Sequence, residues 1–438
     1  MSMLDIQKGL ERLGFDPGPL DGAYGPLARD AVRQCQAAYR LPADGMPGPD
    51  LRRLLRLPIP TCRMTAVARR GDTLAAMAQA CNTTVEALRD GNRRKQREDV
   101  HPGEPLVVHK RVAGAFHDGR ALGGRWTFCA QPAFGISAAG DVTLDLPVEC
   151  MQETAAAGSG AMPAPAGTRD TRKPSVSGDA PSGFVPRGYF AVLAGSEESN
   201  DGTRELVRRP SRYRRTVEGV ARGAAAAGFS GVILDIGDIE DQDSDRYLRF
   251  AACAARECRS SGLGLGVVTP AVTRESARRG WAIGYDTEAL GAIADFLLLE
   301  HMDPTSFWDE VVWACKVVHR WKLISMIELR PVLSEDGSVA DRTGSRRSVR
   351  GKVMSWEELR LLRGRHVLRE GRDEKSGVPY ITYRSRGAIH RVWEEDAESL
   401  GRKLHAINRL NTLGVALRGV RGAPQQVLCE TARKFIIL

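Results

Sequence analysis

Gly231-Val232-Ile233-Leu234-Asp235-Ile236-Gly237-Asp238 is the stretch that decides the fold. An apolar run closed by an acid and a glycine reads as a short strand buried on both faces, which is what a parallel sheet requires. Similar runs recur at 112–116, 127–134, 188–193, 263–269, 296–299, 323–327 and 415–417. Helical stripes alternate with them, such as Tyr213, Val217, Val220 and Ala224, then Tyr247, Phe250, Ala251 and Ala254. Eight strands in this alternation predict an α/β chain region folded as a (β/α)8 TIM barrel over about 110–438. Residues 155–185 are rich in Ala, Gly, Ser and Pro and predict a flexible insertion. A lid is the alternative reading of that stretch. A second insertion, α+β in character, is expected at about 340–395, where Val378–Tyr383 and Ile389–Trp393 are strand-like.

Length and charge agree with a multidomain globular protein. The chain has 438 residues, a formal charge of +9, 27% charged and 42% hydrophobic residues. The positive excess is spread along the chain, so it does not predict nucleic-acid binding. It suits polyanionic neighbours such as a cell wall. The nine cysteines never stand as C-x-x-C, which favours buried free thiols over disulfides or zinc. His117, His301, His366 and His390 lack ligand-like spacing, so no metal and no cofactor are expected. No apolar run spans a membrane. The first ten residues read as an amphipathic helix, so no secretory signal is expected and synthesis should be cytoplasmic.

Two small units precede the barrel. In 1–58, Ile6, Leu10 and Leu13 form one helical stripe and Ala28, Val32, Cys35 and Tyr39 a second, with Leu51, Leu54 and Leu55 on a third short helix. Asp21-Gly22 and Asp44-Gly45 mark turns between them. In 65–109, a strand at 66–68 leads into Gly71-Asp72-Thr73-Leu74, where Asp72 or Thr73 caps a helix. A second helix runs from Asn82-Thr83-Thr84 to Asn92, and Pro102-Gly103 precedes a closing strand at 106–108, in βααβ order.

The ordered set Leu13-Gly14-Phe15, Asp21-Gly22, Tyr24-Gly25-Pro26 and Asp44-Gly45 resembles peptidoglycan-binding domains, departing at Cys35-Gln36. That resemblance implies a glycan site near Asp21, Gly22, Tyr24, Gly25, Asp44 and Gly45. The βααβ unit resembles a LysM domain, a module for N-acetylglucosamine polymers, through Gly71, Asp72, Thr73, Leu74, Asn92, Pro102 and Gly103.

The barrel resembles glycoside hydrolase family 18, and within it the spore cortex-lytic N-acetylglucosaminidases. The carrying stretches are Leu263–Pro270, Phe296–Asp303, Asp373-Glu374-Lys375-Ser376, Pro379–Tyr383 and Val392–Ser399. The resemblance implies that Asp235 holds the substrate's N-acetyl group, which itself attacks the anomeric carbon, with Asp303 in the same site. Two residues after that Asp the family carries the glutamate that protonates the leaving oxygen. Here that position is Gly237, which has no proton to give. The family's mouth tyrosines fall at Met302 and Arg330, and its tryptophan floor at Arg418. Asp238 or Glu240 would have to supply an acid from the loop.

The expected function is therefore a protein that binds peptidoglycan, or another N-acetylglucosamine-containing glycan, through a degenerate, non-hydrolytic barrel. An active N-acetylglucosaminidase with an unusual acid is the alternative. A third reading is an interaction platform for spore coat or cortex proteins. The resemblance places the chain at a spore or cell envelope.

Overall fold

The computed structural model describes residues 1–438 except 13–14, 16, 39–40, 56–62, 93, 95–98, 117–125, 138, 145–187, 196–200, 238, 276–283, 302, 336–350, 367–368, 386–387 and 436–438. The insertion expected at 155–185, and the positions of Asp238, Met302 and His117, lie outside the described residues.

Eight parallel strands close into the expected barrel: β1 (Val112–Phe116), β2 (Phe128–Ile136), β3 (Gly188–Ala194), β4 (Gly231–Asp235), β5 (Gly264–Pro270), β6 (Phe296–Glu300), β7 (Leu323–Glu328) and β8 (Gly414–Arg418). Each pairs with its sequence neighbours, and β8 pairs with β1 to close the ring. The strands carry apolar side chains on both faces because one face packs inside the ring and the other against helices. Ile233, Leu298, Met326 and Ala416 belong to the interior cluster. Near the strand starts, Phe128, Phe190 and Phe296 interlock with ring centroids 5.3–6.3 Å apart. Gly114 and Gly266 admit these rings. A Cβ at Gly114 would lie 2.1 Å from the Phe128 ring, and one at Gly266 would lie 2.4 Å from that of Phe296.

Between β7 and β8 the chain builds a five-stranded antiparallel sheet from Val332–Glu335, Lys352–Val353, Arg369–Arg372, Pro379–Ser385 and Ala388–Trp393, with a helix at Trp356–Arg365. Ser355 and Glu358 form a reciprocal capping box that starts this helix. The expected inserted α+β region is there, and its sheet begins at Val332, ahead of the expected 340.

The N-terminal unit has helices at Met3–Arg12, Pro26–Ala38 and Pro49–Leu54, around a core that includes Ile6, Leu10, Phe15, Val32, Cys35 and Leu51. The next unit pairs strands Arg63–Val67 and Pro105–His109 antiparallel, with helices at Leu74–Ala80 and Val85–Gly91 between them. Thr73, rather than Asp72, caps the first of these helices, accepting from the Ala76 N–H.

Both units dock against the floor of the barrel, where the strands begin. His109 packs against Trp321 with ring centroids 4.2 Å apart, and Phe15 against His319 at 5.1 Å, both pairs tilted. Arg111 is fully buried and donates to Thr412 O (2.7 Å), Asn408 Oδ1 (3.1 Å) and Asn411 Oδ1 (2.5 Å). Asp90 accepts from Arg320 (2.7 Å) and Asn411 (2.9 Å). A buried guanidinium needs such a set of acceptors to offset its desolvation.

The described cysteines are free. Cys35, Cys81, Cys253 and Cys258 are buried, and burial pushes the Cys258 thiol up to about 12. Cys429 corrects the expectation of buried thiols, since it sits on the exposed side of the last helix. No described helix is long and apolar enough to cross a membrane.

Candidate functional site at the barrel mouth

Side chains two apart on a strand share a face. Ile233, Leu298, Met326 and Ala416 point into the barrel, so Asp235, Glu300, Glu328 and Arg418, each two residues further on, point into its mouth. They meet there. The Arg418 guanidinium pairs with Asp235 through Nη2 and with Glu300 through Nη1 at 3.2 Å, and it lies 4.7 Å over the Phe116 ring. Burial works against this cation, but Asp235, Glu300 and Glu328 together hold its pKa above the ordinary arginine range. The Arg418 and Asp235 side chains are only 17% and 18% exposed.

The remaining mouth residues are held by their own neighbours. Arg330 forms a bidentate pair with Glu328, both contacts at 2.8 Å. Asp303 accepts from the Thr305 N–H (2.8 Å) and hydroxyl (2.7 Å), so it closes a turn within its own loop. Gly237 has φ +80°, and its carbonyl accepts from the Tyr285 hydroxyl. Glu240 is exposed and pairs with Arg204, while Gln242 donates to it at 2.6 Å. The His301 side chain is buried, with Nδ1 2.5 Å from Glu310 and its ring against Phe307. A cavity beside the mouth, lined by His301, Glu328, Arg330, Trp393 and Lys403 among others, measures about 50 Å³. Ligand pockets usually enclose roughly 300–1,000 Å³.

In the N-terminal unit the two Asp-Gly turns are built alike. Gln7 donates to Asp21 (3.1 Å) and accepts from the Gly22 N–H (2.8 Å); Gln36 donates to Asp44 (2.8 Å) and accepts from the Gly45 N–H (2.9 Å). Gly22 and Gly45 both have φ +76°, the left-handed conformation that glycine adopts without strain. The Tyr24 hydroxyl donates to the Gly45 carbonyl, tying one turn to the other, and Gly25 precedes the second helix. Residues 2–55 match the family model described as "Putative peptidoglycan binding domain".

Other comparisons concern the barrel and the chain as a whole. "Putative sporulation-specific glycosylase YdhD" of Bacillus subtilis is 21% identical over 246 residues, which is 52% of this chain. The chain spans 56% of the length of that curated relative. The Bacillus cereus spore cortex-lytic enzyme SleL superposes with a TM-score of 0.55 at 18% identity, over 85% of this chain and 87% of that one. A chitinase from Chromobacterium violaceum gives 0.55 at 18% identity, over 74% and 98%. SleL of Bacillus megaterium gives 0.55 at 16%, over 93% and 96%. The barrel has the fold of these enzymes.

In the peptidoglycan-binding domain, sequence reasoning found the Asp-Gly turns but missed Gln7 and treated Gln36 only as part of a departure. The signal was available: each glutamine lies on the helix preceding its turn. In the βααβ unit the expected residues are likewise structural. Gly71 and Gly103 have positive φ, and Asp72 accepts from the Arg69 N–H at 2.7 Å. Leu74 is buried, and Pro102 lies in the turn before Gly103. Asn92 pairs with both backbone groups of Val107 at 2.8 Å, fastening helix to strand.

Proposed function

We propose that the chain is a wall-glycan-binding protein whose barrel serves as a scaffold or binding element rather than as a hydrolase. The peptidoglycan-binding domain and the βααβ unit, read as a LysM module, bring it to peptidoglycan or a related N-acetylglucosamine polymer. The observation that carries this reading is the Arg418–Asp235 pair. In the resembling family that carboxylate would hold the substrate's N-acetyl group, yet here a guanidinium occupies it from inside the mouth. Gly237 offers no proton, and Glu240 is engaged with Arg204. A cation at this place also opposes the positive charge that develops at an anomeric carbon. The relatives named for sporulation and for spore cortex lysis support a place at a spore or cell envelope, with coat or cortex proteins as further partners.

The test is to incubate purified protein with peptidoglycan and its soluble fragments, scoring sedimentation and released reducing ends together. Sedimentation without new reducing ends is expected. Robust release of N-acetylglucosamine ends would refute the scaffold reading and favour the active enzyme.

A further inference from the structure

A second cleft lies away from the mouth. A space of about 560 Å³ lies on the flank of the inserted sheet, between it and the start of the last helix, Gln425–Lys434. Trp356 and Tyr380 line it, with Arg363, Arg372, Asp396 and the exposed Gln426 among its polar groups.

Three observations give this cleft a chemistry. First, its volume falls within the roughly 300–1,000 Å³ of ligand pockets, unlike the small cavity beside the mouth. Second, most of its charges are fixed in pairs: it is lined by Arg363 and Arg372 and by Glu370, Glu394, Glu395 and Asp396. Arg372 pairs with Asp396 at 2.6 Å, Arg363 with Glu394 at 2.8 Å, and Glu395 with the buried Lys403 behind the wall, while Glu370 is exposed at the side. Charges neutralised in pairs, with only Glu370 left over, do not recruit a polyanion, and they present planar donors and acceptors to hydroxyl and amide groups. Third, the aromatic rings are seated by glycines. A Cβ at Gly422 would come within 2.8 Å of the Trp356 ring, and one at Gly371 within 2.6 Å of the Tyr380 ring. The Trp356 indole N–H is buried with no hydrogen-bond partner among the described residues. Aromatic faces with a polar handle suit ligands that are apolar on one side and hydroxylated on the other.

We infer that this cleft is a second binding site, for a neutral, N-acetylated oligosaccharide. It rests on the proposed wall-glycan function and places the barrel region's share of glycan binding on the flank of the inserted sheet. The Arg418 pair that fills the mouth then leaves this contact untouched.

The experiment titrates the full chain with N-acetylchitotetraose by calorimetry and, in parallel, measures sedimentation with insoluble peptidoglycan. Trp356→Ala is expected to weaken tetramer binding at least tenfold. Because Trp356 also packs against the inserted sheet, Gln426→Arg at the exposed rim is the companion variant. It narrows the cleft without touching the core and is expected to weaken binding several-fold with an unchanged thermal transition. Tetramer affinity equal to wild type in both variants, or no tetramer binding by the wild type at millimolar concentration, overturns the inference. Sedimentation separates the two ideas: a chain that sediments but fails these tests loses only the cleft, whereas one that does not sediment loses the wall-binding reading.

Discussion

The guanidinium of Arg418, at the end of β8, crosses the barrel mouth to pair with the carboxylate of Asp235 at the end of β4, and its other nitrogen reaches Glu300 on β6. One cation thus joins three strands at the point where a barrel of this kind keeps its chemistry. Removing one partner of a buried pair strands the other, which costs about 3–5 kcal/mol, whereas replacing both by apolar residues is often neutral. Arg418→Met should therefore lower stability by about 3 kcal/mol, while Arg418→Met with Asp235→Leu and Glu300→Leu should regain most of it. Urea unfolding of the single and triple variants checks this. Equal losses in both would show that packing, not charge pairing, holds the mouth.

Restoring an acid at position 237 should not restore hydrolysis. A general acid contributes about 10²–10⁴-fold, but Gly237 sits at φ +80°, where a glutamate adds about 1–2 kcal/mol of backbone strain. Arg418 would still occupy Asp235. Gly237→Glu is expected to release no more reducing ends from peptidoglycan than the parent chain, and strong activity in that variant would show the mouth to be open.

The paired glutamine latches predict how the peptidoglycan-binding domain fails. Gln36 is 4% exposed and makes three hydrogen bonds to the Asp44–Met46 turn. Gln36→Ala should destabilise this unit by about 1–3 kcal/mol, since it leaves buried groups unpaired. Gln36→Glu keeps the shape but sets a carboxylate against Asp44, whose own pKa is held below the usual range by the Met46 N–H and by Gln36. At neutral pH it should be as damaging as alanine. Sedimentation with peptidoglycan should fall in both variants.

Docking of the N-terminal unit on the barrel floor should weaken in acid. Burial, aided by Lys322 and Arg320, lowers the His319 pKa from 6.5 to about 4, so the ring is neutral against Phe15 in the folded chain. A lowered histidine pKa means that the unfolded state binds the extra proton first. The stabilisation is full above pH 6.5 and is lost as pH falls from 6.5 towards 4, by at most about 3 kcal/mol. The thermal transition of the parent chain should drop over this window more steeply than that of His319→Phe. Parallel pH profiles for the two would remove His319 from the account.

The sequence by itself determined the eight strands, the helices between them, the two small N-terminal units and the inserted sheet. Each is written in a short apolar run, in a helical period of about 3.6 residues, or in a glycine that a turn requires. It also placed Asp235 and Arg418 in the barrel's candidate site, and it showed that position 237 is glycine. It did not reveal that Arg418 meets Asp235, 183 residues earlier in the chain. That contact depends on closure of the ring and on the register of β7 against β8, where Glu328 stands beside Arg418. Nor could it show that Asp303 is spent on its own turn, that the N-terminal units dock on the floor rather than beside the mouth, or that Trp356 faces a cleft shared with the last helix. Those outcomes were decided only in the tertiary structure, because contacts between distant elements follow from how whole surfaces pack, and no local period encodes that.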